Sequence, residues 1–257
     1  VQVSDRRTST QHSGLHLLGV LGAALLIGSI VYLALWQLTT RAGWLAVAEY
    51  WRLFWRGWLG TIGLASTALV ASVLIGLLLA LGRRSRWLPV RALCLVHVEL
   101  IRGTPLLSQI LILYYGVFHL AGLEHAFTAS LVILANFAGA YVSEIIRGGI
   151  ESVGASQLES ARAIGLTPAQ TYRHVIFPQA LRHTLPALAG QFASLIKDSS
   201  LLKIIGFEEL TQNAEQVAAF TFSNLESYVP LAIGYLLLTL PISLWSRWLE
   251  QRNHFQT

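Results

Sequence analysis

The chain has 257 residues, 54% of them hydrophobic and 12% charged, with a mean hydropathy of +0.57. Soluble domains carry nearer to about 25% charge, so 18 basic and 13 acidic side chains exclude a soluble enzyme, a disordered tail and a secreted disulfide scaffold. The single cysteine, Cys94, lies in an apolar run and reads as a packed small side chain.

The hydrocarbon core of a bilayer is about 30 Å thick and a helix rises about 1.5 Å per residue, so apolar runs of about 18 residues or more read as membrane spans. After a short polar tail (1–14), the first predicted span is Leu15 to Leu38, too long for a signal-peptide core and read as retained. Segment 44–58 carries four tryptophans with Arg52 and Arg56. Both residue types favour the headgroup level, so 44–56 is expected to lie as an amphipathic helix along the outer interface rather than to form a ligand cage.

The second span is Trp58 to Leu81, with Ala68, Ser72, Gly76 and Ala80 at a spacing of four. Such a ridge admits a neighbouring helix at close range, within this bundle or in a partner subunit. A third span, roughly Ala92 to Phe118, contains Glu99, Arg102 and Pro105; the two charges stand three apart and are expected to neutralise one another. Glu144 and Arg147 repeat that spacing at the end of the fourth span, Ala126 to Ile146. The fifth, roughly Leu185 to Ile205, includes Lys197 and Asp198; the sixth is Val229 to Trp245, followed by a tail at 251–257.

Lysine and arginine outside the spans set the orientation. Twelve arginines (6, 7, 83, 84, 86, 91, 147, 162, 173, 182, 247 and 252) fall on one side and three (41, 52 and 56) on the other. Both termini are therefore expected in the cytoplasm, with 207–228, which holds Glu208, Glu209, Glu215 and Glu226, outside. Orientation, not nucleic acid, accounts for the pI near 9.7.

Between spans four and five lie some 40 residues too polar to cross. Ser156 to Glu159 reads as a capping box opening a short helix that ends at Gly165, a left-handed C-cap. Thr167, Pro168 and Gln170 repeat the start signal, and a second helix is expected to run to about Ile176 and stop at Pro178, with Tyr172, Val175 and Ile176 on an apolar face. Such a pair could dock a protein partner or fold back on its own bundle; local physics leaves both open.

These residues carry a resemblance. Glu159-Ser160-Ala161, then Gly165, then Val175-Ile176-Phe177-Pro178 resembles the EAA loop of ABC-transporter permeases, with Ser160, Val175 and Phe177 as mild departures. The runs 99–107 (ELIRGTPLL), 140–150 (AYVSEIIRGGI) and 197–201 (KDSSL) are similar to elements of the polar amino acid branch, in the right order. The resemblance covers about 57–250. It implies an all-α membrane protein: a five-helix type I importer permease core plus an extra N-terminal helix, six spans in all, in the inner membrane of a prokaryote.

The resemblance further implies a cytoplasmic ATPase dimer, a second permease copy or paralogue, an extracytoplasmic solute-binding protein and an amino-acid substrate. No Gly-x-x-x-x-Gly-Lys-Ser/Thr occurs here, so ATP and Mg are expected on the ATPase and no cofactor on this chain, which is read as a transport subunit and not an enzyme. The loop at about 147–184 becomes the coupling element, with Glu159, Ala161, Gly165, Leu166, Thr167, Pro168, Tyr172 and Pro178 as its candidate residues. Ionisable groups at membrane depth are costly, which makes Asp198 the leading substrate-path candidate, with Lys197, Asn136 and Ser199 beside it. The rival is a stand-alone secondary transporter or channel. That class usually brings inverted repeats, and no self-similarity of the halves is visible. An intramembrane enzyme finds no H-E-x-x-H arrangement or nucleophile elbow.

Overall fold

A computed structural model of the chain describes residues 22–33, 43–123 and 125–253. Among them every regular element is helical. In chain order these are α1 (Gly22–Leu33), α2 (Gly43–Glu49), α3 (Trp51–Gly82), α4 (Leu88–Gly103), α5 (Leu106–Leu111), α6 (Ala126–Glu151), α7 (Ala155–Ala163), α8 (Pro168–Thr171), α9 (Phe177–Asp198), α10 (Leu210–Thr221) and α11 (Asn224–Asn253).

The helices α3, α6 and α11 are long and apolar enough to cross a membrane, and the bent pair formed by α4 and Leu106–Phe118 would make a fourth span. At 22 residues α9 has the length, but Arg182, His183, Gln191, Lys197 and Asp198 make it less apolar. It packs between α6 and α11. Half of the predicted first span, the tail at 1–14 and residues 254–257 of the tail at 251–257 lie outside the described residues.

At the centre α3 lies against α6. The predicted small-residue ridge is the reason: Ala68 and Ser72 are fully buried, and Gly76 and Ala80 are buried with them. A Cβ on Gly76 would stand 2.5 Å from Val142 Cγ1 and 2.9 Å from the Gly139 carbonyl oxygen; one on Gly139 would meet Ile75 Cγ2 at 2.6 Å. Leu64, Ile110, Ile133, Leu134, Leu195 and Leu202 close the core around this seam. The seam belongs to this bundle, which settles the alternative left open by the sequence.

Three proline positions shape the rest, each differently from expectation or for a visible reason. The third predicted span is not one straight helix. Thr104, pushed into the extended region by Pro105 (φ −121°, ψ 146°), ends α4, and the chain turns by 112°. Gln109 clasps the bend, its Nε2 donating to the Ile101 carbonyl and to Thr104 Oγ1, both at 2.8 Å.

By contrast, Pro178 does not stop the helix begun at Pro168. A π turn over Tyr172–Ile176 intervenes, in which the Phe177 N–H bonds to the Tyr172 carbonyl five residues back. Pro178 thereby occupies the first turn of α9, where its missing N–H is tolerated. One helical rod, continuous in its backbone, therefore runs from Pro168 to Asp198, and the helix that carries most of the expected fifth span begins at Phe177, upstream of Leu185. Pro186 lies within α9, and Ser246 Oγ of α11 donates to its carbonyl at 2.9 Å.

Segment 44–56 is two helices and not one: it divides into α2 and the first turns of α3, and its tryptophans line an open apolar groove together with Leu210 and Ile233. Segment 207–228 is also less acidic at its surface than its sequence suggests. Glu226 is wholly buried and Glu215 pairs with Lys203. Glu209, buried too, caps α10, accepting from the Thr211 N–H (2.8 Å), the Gln212 N–H (2.7 Å) and the Tyr235 hydroxyl (2.7 Å). Burial pushes the Glu209 carboxyl above the usual carboxylate range.

Gly76→Ala is expected to lower the unfolding temperature of the purified chain, since overpacking a close seam costs about 1–3 kcal/mol. Gly63→Ala, on the same helix with open space around its Cβ position, is expected to be neutral or to raise it, a helical alanine being favoured by up to about 1 kcal/mol. Equal shifts in the two variants would show that close approach is not what holds α3 to α6.

Candidate functional site

The loop after α6 is built as a helix, a reversal and a second helix. The start of α7 differs from expectation: its N-cap is Gly154, with no side-chain cap, because the helix begins one turn-position earlier than Ser156 and the serine is left inside it. The C-terminal end is as predicted. Gly165 has φ +79°; the Leu166 N–H bonds to the Ala161 carbonyl and the Gly165 N–H to the Arg162 carbonyl, both at 3.0 Å. This pair of bonds closes a helix through a left-handed residue, a conformation that costs a side chain about 1–2 kcal/mol. The second capping box forms fully: Thr167 Oγ1 accepts from the Gln170 N–H (3.3 Å) and Gln170 Oε1 accepts from the Thr167 N–H (2.9 Å).

This element shows one side to its own bundle and one to solvent. Ala161 and Thr171 are buried, and Leu166, Val175 and Ile176 are half-buried. Gln179 donates to Gln157, tying α9 to α7. Pro168 and Pro178 lie exposed. So does Glu159, which forms no ion pair or side-chain hydrogen bond with a described residue. Exposed apolar groups complete the outer side: Tyr172 at 42%, Phe177 at 52% and Ile164 at 76%. The expected apolar face is thus split, Tyr172 outward and Val175 and Ile176 inward. Ile164 and Phe177 were not singled out from the sequence; their position beside a helix-ending glycine and a proline was the available signal.

The path candidates fall around α9. Asp198 is half-buried in the last turn of the helix, where the dipole disfavours a carboxylate. It forms neither an ion pair nor a hydrogen bond with a described residue, and Lys197 is exposed beside it. The pair is therefore not an internal structural salt bridge. Asn136 on α6 is half-buried and its amide has no partner among the described residues, so it is not glue within this bundle. Ser199 is fully buried, its hydroxyl donating to the Ile196 carbonyl at 2.7 Å, and faces the core. Two residues not singled out from the sequence, Gln191 and Ser194, are half-buried on the face of α9 that holds Asp198, next to Gly190, whose Cβ position is open. Their helical spacing with Asp198 was the signal.

At the other end of the bundle, Glu144 is the hub of the charges. Arg83 and Arg147 (2.8 Å) reach its carboxylate, and Arg102 stands 3.4 Å away. The expected Glu144–Arg147 pair forms. The expected Glu99–Arg102 pair does not: α4 packs on α6 so that Arg102 stands near Glu144, while Glu99 on the same helix is exposed.

Thr167→Ala and Gly165→Ala are each expected to destabilise the reversal locally, by about 1 kcal/mol and about 1–2 kcal/mol. Amide hydrogen exchange should read this as faster exchange at 161–171 with the rate at 129–142 unchanged. Uniform acceleration across both segments would mean that the reversal is not an independent local structure.

Comparison with known proteins places this arrangement. Residues 72–254 match the family described as binding-protein-dependent transport system inner membrane component. The probable glutamine ABC transporter permease protein GlnM of Bacillus subtilis (strain 168) is 35% identical over 201 residues, covering 78% of this chain and 93% of the relative. The glutamine transport system permease protein GlnP of Escherichia coli (strain K12) is 36% identical over 198 residues, covering 76% and 88%. A solved amino acid ABC transporter with histidines superposes with a TM-score of 0.77 at 38% identity, covering 81% of this chain and 98% of that one. The chain belongs to the binding-protein-dependent inner-membrane permease family of ABC transporters, and within it to the branch of polar amino acid permeases.

Proposed function

We propose that this chain is the translocating subunit of an ATP-driven importer that carries a polar amino acid or a close derivative delivered by an extracytoplasmic solute-binding protein. One observation carries the coupling half of this reading. The rod from Pro168 to Asp198 joins the reversal at Gly165 to the unpaired carboxylate, and at about 1.5 Å per residue it is longer than the hydrocarbon core is thick. In this proposal a displacement of its cytoplasmic end is passed along the backbone toward its far end, because helical hydrogen bonding continues through the π turn.

In this proposal the outer side of α7 and α8, with Glu159, Ile164, Tyr172 and Phe177, seats in a groove of a cytoplasmic ATPase dimer. ATP and Mg belong to that partner. Closure of the dimer pushes the seated element and biases the bundle between outward-open and inward-open states. Both termini are cytoplasmic, residues 57–250 form the permease body, and 147–184 form the coupling loop. A second copy or a paralogous permease faces α9 across the path. Asp198 then meets the α-ammonium or a basic side chain of the substrate, with Gln191, Ser194 and Asn136 as neutral polar contacts.

Two variants test the two ends of the rod. Gly165→Asp in the complex reconstituted with its ATPase and binding protein is expected to leave membrane insertion intact and to abolish substrate-stimulated ATP hydrolysis; normal stimulation would remove the coupling assignment. Asp198→Asn is expected to weaken uptake by about tenfold or more, the range for losing a hydrogen bond to a charged group. Uptake and substrate affinity that both stay normal would remove Asp198 from the path.

A further inference from the structure

The turn between α3 and α4 and the end of α6 enclose a cavity of about 230 Å³. Four guanidinium groups line it: Arg83, Arg84, Arg91 and Arg147. Two of them are neutralised, since Arg83 and Arg147 pair with Glu144 and Arg147 also reaches Glu151. Arg84 and Arg91 form no ion pair or side-chain hydrogen bond with a described residue. The cavity therefore holds two uncompensated positive charges, beside a hub that holds the other two arginines in place.

The remaining lining is aliphatic, from Ala80, Leu95 and Ile150. Next to it in the chain, Leu81 is 57% exposed, Trp87 69% and Leu88 73%. These apolar groups stand where the lipid-length helix α3 ends and a tryptophan and arginines begin, the composition of a membrane–water boundary. Free arginines, an aliphatic floor and an exposed apolar rim together match an amphiphile with an anionic head.

We infer that this cavity is a binding site for a phosphate monoanion or diester, occupied in the membrane by the headgroup of an anionic phospholipid. Arg84 and Arg91 hold the phosphate oxygens, and the acyl chains lie along the exposed leucines at the α3–α4 turn. Guanidinium suits this task because its planar fork meets two phosphate oxygens at once. The occupied site would brace the α3–α4 turn against the end of α6, immediately before the loop that starts at Ser152. The inference does not depend on which solute is carried.

Native mass spectrometry of the full chain released from nanodiscs, with and without its ATPase, tests it. Phosphatidylglycerol, phosphatidylcholine and inorganic phosphate are the probes. Tight phosphatidylglycerol binding is expected, weakened about 30-fold in Arg84→Gln/Arg91→Gln, from about 1 kcal/mol per arginine near an anionic surface. Arg52→Gln/Arg56→Gln, at the other end of α3, is expected to leave it unchanged, and Arg84→Lys/Arg91→Lys to keep part of it. Displacement of the lipid by millimolar inorganic phosphate would retain the phosphate site and overturn the lipid as its occupant. Equal phosphatidylglycerol affinity in wild type and the Gln pair would overturn the site. Loss of the ATPase from the Gln pair with lipid binding intact would also overturn it, in favour of a protein contact.

Discussion

The constraint on which this structure depends is the close approach of α3 and α6. In a bilayer the lipid tails are as apolar as leucine, so helices are not driven together by exclusion from water; they must gain from backbone-range packing. Gly76 and Gly139 provide that range, each leaving free the space that a side chain on the other helix, Val142 or Ile75, fills. With the seam closed, the end of α3 brings Arg83 to Glu144, and the packing of α4 on α6 brings Arg102 to the same carboxylate. The rod of α9 then lies on α6 where Gly149 leaves room for Thr184. A bulkier seam would move every one of these groups.

Proline shows how strongly context decides the outcome of one covalent restriction. At Pro105 the preceding Thr104 takes the extended conformation that proline favours, and the chain bends by 112°. At Pro168 the same ring opens a helix, because the first turn needs no donor. At Pro178 a π turn absorbs the restriction and the helix continues. The third case matters most for the proposed function, since it joins α8 and α9 into one continuous helical path.

Charge is handled with similar economy. Glu144 faces three arginines, Glu209 satisfies two N–H groups of α10 and one hydroxyl, and Glu215 holds Lys203. Among the described residues, Asp198 in the last turn of α9, Glu159 on the outer side of α7, and Arg84 with Arg91 in the basic cavity form no ion pair or side-chain hydrogen bond, and the carboxylate of the buried Glu226 accepts none either. Ionisable groups left so are where an external partner is sought first.

By itself the sequence determined the class of the protein, the helices and the chemistry of the reversal. Hydropathy and helix rise specify where apolar segments lie, and capping at Thr167 and the left-handed position at Gly165 are decided within four or five residues, so both were legible without a fold. Tertiary structure decided what depends on groups distant along the chain. The break at Pro105 and the passage through Pro178 look alike as local signals, and differ in whether a widened turn intervenes. Arg102 pairs with Glu144, 42 positions away in the chain, instead of with Glu99 three positions away, because only the bent fold sets α4 against α6. The acidic look of 207–228 dissolved for the same reason: Glu209 and Glu226 are carried inside by the packing of α10 and α11, which no count of charges along a segment can reveal.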